Sequence, residues 1–300
     1  MFEEVKKKLI CWTKEENIKE NEPMKEHTSF RVGGPARLFL SIHSREELSK
    51  IISYLSQENI PYFILGNGTN ILVSDEGFQG VVLYLGKEFS YIEQEGNMIT
   101  AGAAALLSQV ARKAMEESLT GLEFAAGIPG TVGGGTMMNA GAYGGELSQV
   151  ITQVTAMNQK GEILVLEKEE LDFGYRRSIF KKIPYIILQV TMSMKQGNQE
   201  EILQTMVDYQ KARKEKQPLE YPSAGSTFKR PRNHYAGKLI MEAGLRGCEV
   251  GGAKVSEKHC GFVINTGEAT AADIIQLMEK IQKTVKDTFG VDLEPEVIRL

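Results

Sequence analysis

The chain has 300 residues, a formal net charge of −4, 42% hydrophobic residues and 25% charged residues, which suggests two domains of ordinary size and a protein folded throughout. A slightly acidic balance argues against a nucleic-acid partner, whose phosphates demand a basic face. The charged start Phe2-Glu-Glu-Val-Lys-Lys-Lys8 argues against a signal peptide, and no run approaches the roughly 20 apolar residues of a membrane span, so a cytoplasmic protein is expected.

Phe2, Val5, Leu9 and Trp12 recur at helical spacing and predict an amphipathic helix over about residues 2 to 17. Ala36 to Ile42 reads as a strand. Ser44 followed by Glu47 is a capping box, and Leu48, Ile51, Ile52 and Leu55 carry its helix towards Asn59 and Pro61. A strand follows at Tyr62 to Leu65. Between Ile71 and Thr100 the short apolar runs ILVSD, GVVLYL, YIEQE and MITAG, parted by glycines and polar turns, predict a series of strands.

Helix returns at about Leu107 to Glu117, and strands at Val150 to Met157 and Glu162 to Leu166 flank a turn at Asn158 to Gly161. Tyr185 to Met192 is another strand. Glu200 to Lys216 predicts a helix with Ile202, Leu203, Met206, Val207 and Tyr209 on its apolar side, ended by Pro218 and Pro222. A domain boundary is expected just before it, near Gln196 to Gln199, dividing residues 1–198 from 199–300. The remainder predicts a short helix at Ala236 to Ala243 and strands at Glu249 to Lys254 and Phe262 to Asn265. A capped helix from Ala271 to Thr288 follows, with its apolar stripe in the core, and a closing strand at Glu296 to Leu300. Strands and helices do not alternate regularly, so the class is mixed α+β.

Cys11, Cys248 and Cys260 are odd in number and have no C-x-x-C spacing, so neither a disulfide framework nor a zinc site is indicated. His27, His43, His234 and His259 are scattered, and no metal is expected. The basic stretch from Lys211 to Lys216 reads, taken alone, as a solvated helix end.

Two glycine-rich runs stand out, Gly66 to Asn70 and Gly127 to Gly135. The first follows a strand, as a dinucleotide-binding turn does, but Ile71 to Asp75 after it looks like another strand where a Rossmann fingerprint requires a helix. The glycine spacing of the second is also wrong for that fingerprint. Either run alone is ordinarily a tight turn. Their density, continuing through Asn139 to Gly145, fits loops whose backbone N–H groups converge on an anion, two of which can grip one pyrophosphate.

The strings HTSFRVGGPA (from His27), GNGTNILVSD (from Gly66), AAGIPGTVGGG (from Ala125), NAGAYGGE (from Asn139), GYRRS (from Gly174) and AGSTFKRP (from Ala224) occur in this order along nearly the whole chain. Together they closely resemble the UDP-N-acetylenolpyruvoylglucosamine reductase family. The resemblance implies a vanillyl-alcohol-oxidase (PCMH)-type FAD-binding domain made of two α+β subdomains, over residues 1–198, and a smaller α+β substrate-binding domain over 199–300. It implies FAD, bound without a covalent link because GNGTN has no histidine, and NADPH as co-substrate. The family's activity is reduction of an enolpyruvyl ether on a UDP-sugar to a lactyl ether in peptidoglycan precursor synthesis, with hydride passing from flavin to the β-carbon. A monomer with no nucleic-acid or membrane partner is expected.

Carried over residue by residue, the resemblance gives a catalytic set of Arg176, Ser226 and Glu296. Arg176 is the permanently charged guanidinium that forks onto a carboxylate, with Arg177 the neighbour it could be confused with. Extended backbone would point the two apart. Ser226 is the proton donor, a weak acid that needs nearby positive charge or a relay. Glu296, preferred to Glu294 on the same strand face, shares proton delivery or orients the arginine. The implied cofactor contacts are Leu65, Gly66, Asn67, Gly68, Thr69 and Asn70 in the first loop. In the second they are Gly127, Ile128, Pro129, Gly130, Gly133, Gly134, Asn139, Gly141 and Ala142. Lys216 is implied to meet the substrate's diphosphate, Tyr175 to line the site, and Lys229 and Arg230 to bind substrate. Asparagine stands at the place of Arg230 in some members, which also carry a tyrosine-bearing loop that this chain lacks, so it resembles the shorter, second type. An FAD oxidase acting on another alcohol and a catalytically silent nucleotide-binding module are the competing readings.

Overall fold

The computed structural model describes residues 2–300 and opens with helix α1 (Phe2–Leu9), strands β1 (Ile18–Pro23) and β2 (Pro35–Ile42), helix α2 (Arg45–Gln57) and strand β3 (Tyr62–Leu65). Strands β4 (Ile71–Leu72), β5 (Phe78–Leu85), β6 (Ile92–Glu95) and β7 (Met98–Gly102) lead into helix α3 (Leu107–Glu116) and strand β8 (Leu119–Thr120). Helix α4 (Val132–Met137) and the hairpin of β9 (Gly141–Ala142) and β10 (Gly145–Glu146) precede β11 (Ile151–Met157), β12 (Ile163–Glu167), β13 (Ile186–Ser193) and β14 (Lys195–Gln196). Helices α5 (Gln199–Lys216) and α6 (Ala236–Glu242), strands β15 (Glu249–Val250), β16 (Ala253–Val255) and β17 (Val263–Asn265), helix α7 (Ala271–Phe289) and strand β18 (Ile298–Arg299) complete the chain.

These elements form two compact units. The first comprises the residues up to Glu20, Leu38–Asn67 and Gly80–Ala212. It holds the fully antiparallel sheet β12-β11-β13-β7-β6, with α3 and α4 packed beside it, and the parallel pair of β3 and β5. Its core runs from Val5 and Leu9 through Leu48, Ile51, Val81 and Leu83 to Ile151, Val154 and Val190. The second comprises Asn21–Arg37, Gly68–Gln79 and Arg213–Leu300, and has a separate core of Phe30, Leu72, Phe228, Ile240, Val263, Ile274 and Ile281. There α7 packs on the antiparallel sheet β15-β16-β17 and α6 packs on α7, and β18 runs parallel to β4.

The compact units divide elsewhere than between residues 198 and 199. Helix α5 up to Ala212 belongs with the first unit, because Ile202 is buried and Met206 and Tyr209 pack on its core. Residues 68–79 belong with the second, because Ile71 and Leu72 pair with Ile298 and Arg299. The opening helix is shorter than its apolar spacing predicts. After Leu9 the bonds from Cys11 to Lys8 and from Trp12 to Leu9 close three-residue turns, which carry Trp12 edge-on to Tyr54 at 5.5 Å. The apolar side of α5 is only half used, since Leu203 and Val207 are 46% and 47% exposed. The closing strand is two residues long, as only Ile298 and Arg299 find a ladder partner.

Candidate functional site

A cavity of about 510 Å³ lies within the first unit, lined by β3, by Ala103 and Ala104 after β7, by Gly133 and Gly134 at the start of α4, and by Tyr185 to Ile187 at the start of β13. That volume is in the range of small-molecule sites. Leu65 and Gly66 at the end of β3 form part of its wall, as does Thr131. A Cβ on Gly66 would stand 2.7 Å from the Thr131 hydroxyl, so the close approach of the two glycine runs requires glycine there. Asn67 fastens the same junction, its Nδ2 donating to the Pro129 carbonyl at 2.6 Å.

The backbone of each run, taken by itself, is open to an acceptor. Among the described residues, the amides of Asn67, Gly68, Thr69 and Asn70 in the first run donate to no internal oxygen, nor do those of Gly127, Gly130 and Thr131 in the second. A stretch of unpaired donors is what an anion such as a pyrophosphate satisfies. Gly68 adopts φ +60°, and a Cβ there would come within 1.9 Å of the His27 carbonyl. The first run passes from one unit to the other between Asn67 and Gly68. Within the second unit Asn70 donates from Nδ2 to the Glu296 carbonyl at 3.2 Å, and its own carbonyl accepts from the Ile298 amide at 3.0 Å, so both its side chain and its backbone hold the closing segment of the chain.

Other expected cofactor contacts have structural partners of their own. Ile128 packs on the first core. The side chain of Asn139 is fully buried, with Oδ1 accepting from the Ser148 amide at 2.9 Å and Nδ2 donating to the Gly174 carbonyl at 3.1 Å. Gly141 and Ala142 form the β9 edge of the hairpin, pairing with Glu146 and Gly145. That hairpin carries Tyr143, stacked on Tyr209 of α5 with ring centroids 4.3 Å apart.

The GYRRS segment is a tight turn and not the extended stretch expected. Gly174 and Arg177 exchange backbone bonds of 3.0 and 3.1 Å, and Arg176 sits inside at φ +52°. The turn still separates the two arginines. Arg176 sends Nη2 to the Gly141 carbonyl at 3.2 Å and lies 5.1 Å from the ring of the half-exposed Tyr175. Arg177 instead pairs with Asp172 at 3.1 Å. The hydrogen bond from Lys182, together with the charge of Arg177, holds the Asp172 carboxyl below the usual range.

In the second unit the segment through Ser226 runs antiparallel to the chain end. Phe228 is bridged to Pro295, Lys229 donates its amide to the Glu294 carbonyl at 2.8 Å, and Glu296 donates to the Thr227 carbonyl at 2.9 Å. Ser226, exposed beside Gly225 at φ +75°, is therefore one residue from the partner of Glu296. Glu294 is paired with Lys229 through its carboxylate. Arg230 lies 4.0 Å from the Tyr235 ring, and Lys216 is exposed at the C-terminal end of α5. Thr131 and the cavity residues Tyr62, Ala103 and Tyr185 were not marked by sequence reasoning. Only the small residues of the glycine runs carry a readable signal there. Among the described residues no cluster of ligands for a metal ion occurs, and no helix is long and apolar enough to cross a membrane.

Residues 36–167 match the family model of an FAD binding domain, and residues 217–300 match that of the UDP-N-acetylenolpyruvoylglucosamine reductase C-terminal domain. The chain is 54% identical over 284 residues to the UDP-N-acetylenolpyruvoylglucosamine reductase of Caldanaerobacter subterraneus subsp. tengcongensis, covering 95% of this chain and 94% of that protein. It is 48% identical over 289 residues to the protein of that name from Clostridioides difficile, covering 96% and 95%. The crystal structure of UDP-N-acetylenolpyruvylglucosamine reductase from Thermus caldophilus superposes with a TM-score of 0.81 at 37% identity, over 93% of this chain and 98% of that one. The fold is thus a mixed α+β one, a PCMH-type FAD-binding domain followed by a distinct C-terminal domain.

Proposed function

Because the chain belongs to the UDP-N-acetylenolpyruvoylglucosamine reductase family, we propose that it reduces UDP-N-acetylglucosamine enolpyruvate to UDP-N-acetylmuramate for peptidoglycan synthesis, using FAD and NADPH. The observation that carries the cofactor half of this reading is the junction of the two glycine runs beside the cavity. There Gly66 has no room for a side chain against Thr131, and Asn67 is bonded to Pro129. The amides without internal acceptors in each run suit the oxygens of a phosphate, and the mostly apolar wall of the cavity fits an aromatic dinucleotide. Residues Leu65 to Asn70, Gly127, Gly130, Gly133 and Gly134 would hold FAD. Bound FAD supplies the hydride, which it takes from NADPH.

The chain's own residues manage the charge and the proton. Addition at the substrate's β-carbon leaves negative charge at the α-carbon, shared with the adjoining carboxylate. Arg176 neutralises it with a guanidinium that cannot lose its charge. Ser226 gives its hydroxyl proton to the α-carbon, and Glu296 shares that delivery. Lys216, with Lys229 and Arg230, binds the diphosphate side of the UDP-sugar, and Tyr175 lines the pocket. On this reading residues 1–198 form the FAD-binding domain, which also contributes Tyr175 and Arg176, and 199–300 the substrate-binding domain, and the enzyme works in the cytoplasm as a monomer.

The test is to purify the protein, look for a flavin spectrum, and follow the two half-reactions separately. Ser226→Ala should leave flavin reduction by NADPH intact and slow the substrate half-reaction by about 100-fold or more, the range of a general acid. Protein that cannot be loaded with FAD would sink the cofactor reading. Flavin reduction without any turnover of the enolpyruvyl substrate would remove the reductase activity alone.

A further inference from the structure

Asn139 stands at the base of the Gly141–Glu146 hairpin, 0% exposed and at φ +43°. Its two side-chain bonds, to the Ser148 amide at 2.9 Å and the Gly174 carbonyl at 3.1 Å, both go to main-chain groups, so its oxygen and nitrogen cannot be interchanged. Gly174 opens the turn that carries Arg176 in the left-handed region. A long side chain adopts that conformation only where its surroundings impose it. The same two loops are tied twice more, by Arg176 Nη2 to the Gly141 carbonyl at 3.2 Å and by Ser178 Oγ to the Met137 carbonyl at 2.7 Å. Of these three ties, the one from Asn139 alone grips the turn by its backbone.

We propose that Asn139 is a positioning residue for Arg176: it holds the strained turn in place, so that the guanidinium is set for the substrate before charge develops. This rests on the reading of Arg176 as the group that neutralises that charge. A preset donor costs no reorganisation during reaction, whereas a displacement of about 1 Å can cost about 100-fold in rate. On this proposal the side chain, 0% exposed and bonded to Ser148 and Gly174, acts on the turn rather than on the cofactor.

Asn139→Asp, studied in the full-length FAD-loaded enzyme, keeps the acceptor for Ser148 but sets a second oxygen against the Gly174 carbonyl. Oxidation of the reduced flavin by UDP-N-acetylglucosamine enolpyruvate should slow by about 10- to 100-fold. FAD affinity and flavin reduction by NADPH should stay within about twofold. Added to Arg176→Ala, Asn139→Asp should slow the reaction no further, since a residue acting through another has no effect once the other is gone. Ser44→Ala, which removes the N-cap of α2, shows what a loss of stability alone does to the two half-reactions. If Asn139→Asp does not fold, Asn139→Ser carries the same cycle. Independent slowing in the double variant, or a parallel loss of FAD affinity and flavin reduction, would overturn the proposal. An undiminished rate in Arg176→Ala would remove the arginine's role and this proposal with it, and that single variant tells the two failures apart.

Discussion

Arg176 and Arg177 are adjacent and equally charged, but their side chains meet different partners. Arg177 is spent on Asp172 in a solvent-exposed pair that contributes little, so Arg177→Ala should leave turnover within about twofold. Arg176→Lys keeps the charge but loses the planar fork, and should slow the substrate half-reaction by about 100-fold in stopped-flow traces. Equal effects of the two substitutions would overturn the assignment. The acids divide in the same way. Glu294 is held by Lys229, while the backbone of Glu296 is gripped by both Thr227 and Asn70, so Glu296→Gln should reduce turnover far more than Glu294→Gln. Sequence reasoning narrowed each choice to two residues. It could not see their partners, because Asn70 and Glu296 lie 226 positions apart.

At the scale of elements, what was legible was local. The Ser44 hydroxyl accepts from the Glu47 amide at 3.1 Å, although the Glu47 carboxylate accepts from the His43 amide and not from that of Ser44. Thr270 and Asp273 close a full capping box on α7. The same helix start also takes a distant cap, Asp75, whose two oxygens accept from Ala271 and Ala272 at 2.8 and 2.9 Å. Nothing near Ala271 in the sequence announces it. Asp75→Ala should lower stability by about 1 to 2 kcal/mol in urea unfolding, the size of a lost N-cap that also meets the helix dipole. The parallel pairing of β4 with β18 was illegible for the same reason of distance. The glycine runs give a further prediction, since their unpaired amides should exchange rapidly in FAD-free protein. On FAD binding, Asn67 to Asn70, Gly130 and Thr131 should gain protection, and unchanged exchange there would count against the cradle.

The whole molecule has two hydrophobic cores, and a histidine half-buried beside the second predicts that this core loses stability in acid. His259 lies edge-on to Phe262 at 4.9 Å, and its Nδ1 accepts the Gly261 amide at 3.1 Å. Burial holds its pKa below the ordinary 6.5. The unfolded chain therefore takes up a proton that the folded protein refuses. Stability contributed by neutral His259 is whole above about pH 6.5, declines as the pH falls below that value, and is lost once the pH passes the depressed folded-state pKa. Asp172 and Asp273, held below 3.8 by Lys182 and by the Thr270 amide respectively, keep their charge across this window and do not contribute to the change. Hydrogen exchange, corrected for its intrinsic pH dependence, should show protection of α7 in the second core falling as the pH is lowered below about 6.5. Protection of β11 and β13 in the first core should hold. His259→Gln, which has no proton to gain, should flatten the response of α7, and a fall that persists in that variant would assign the acid sensitivity to another group.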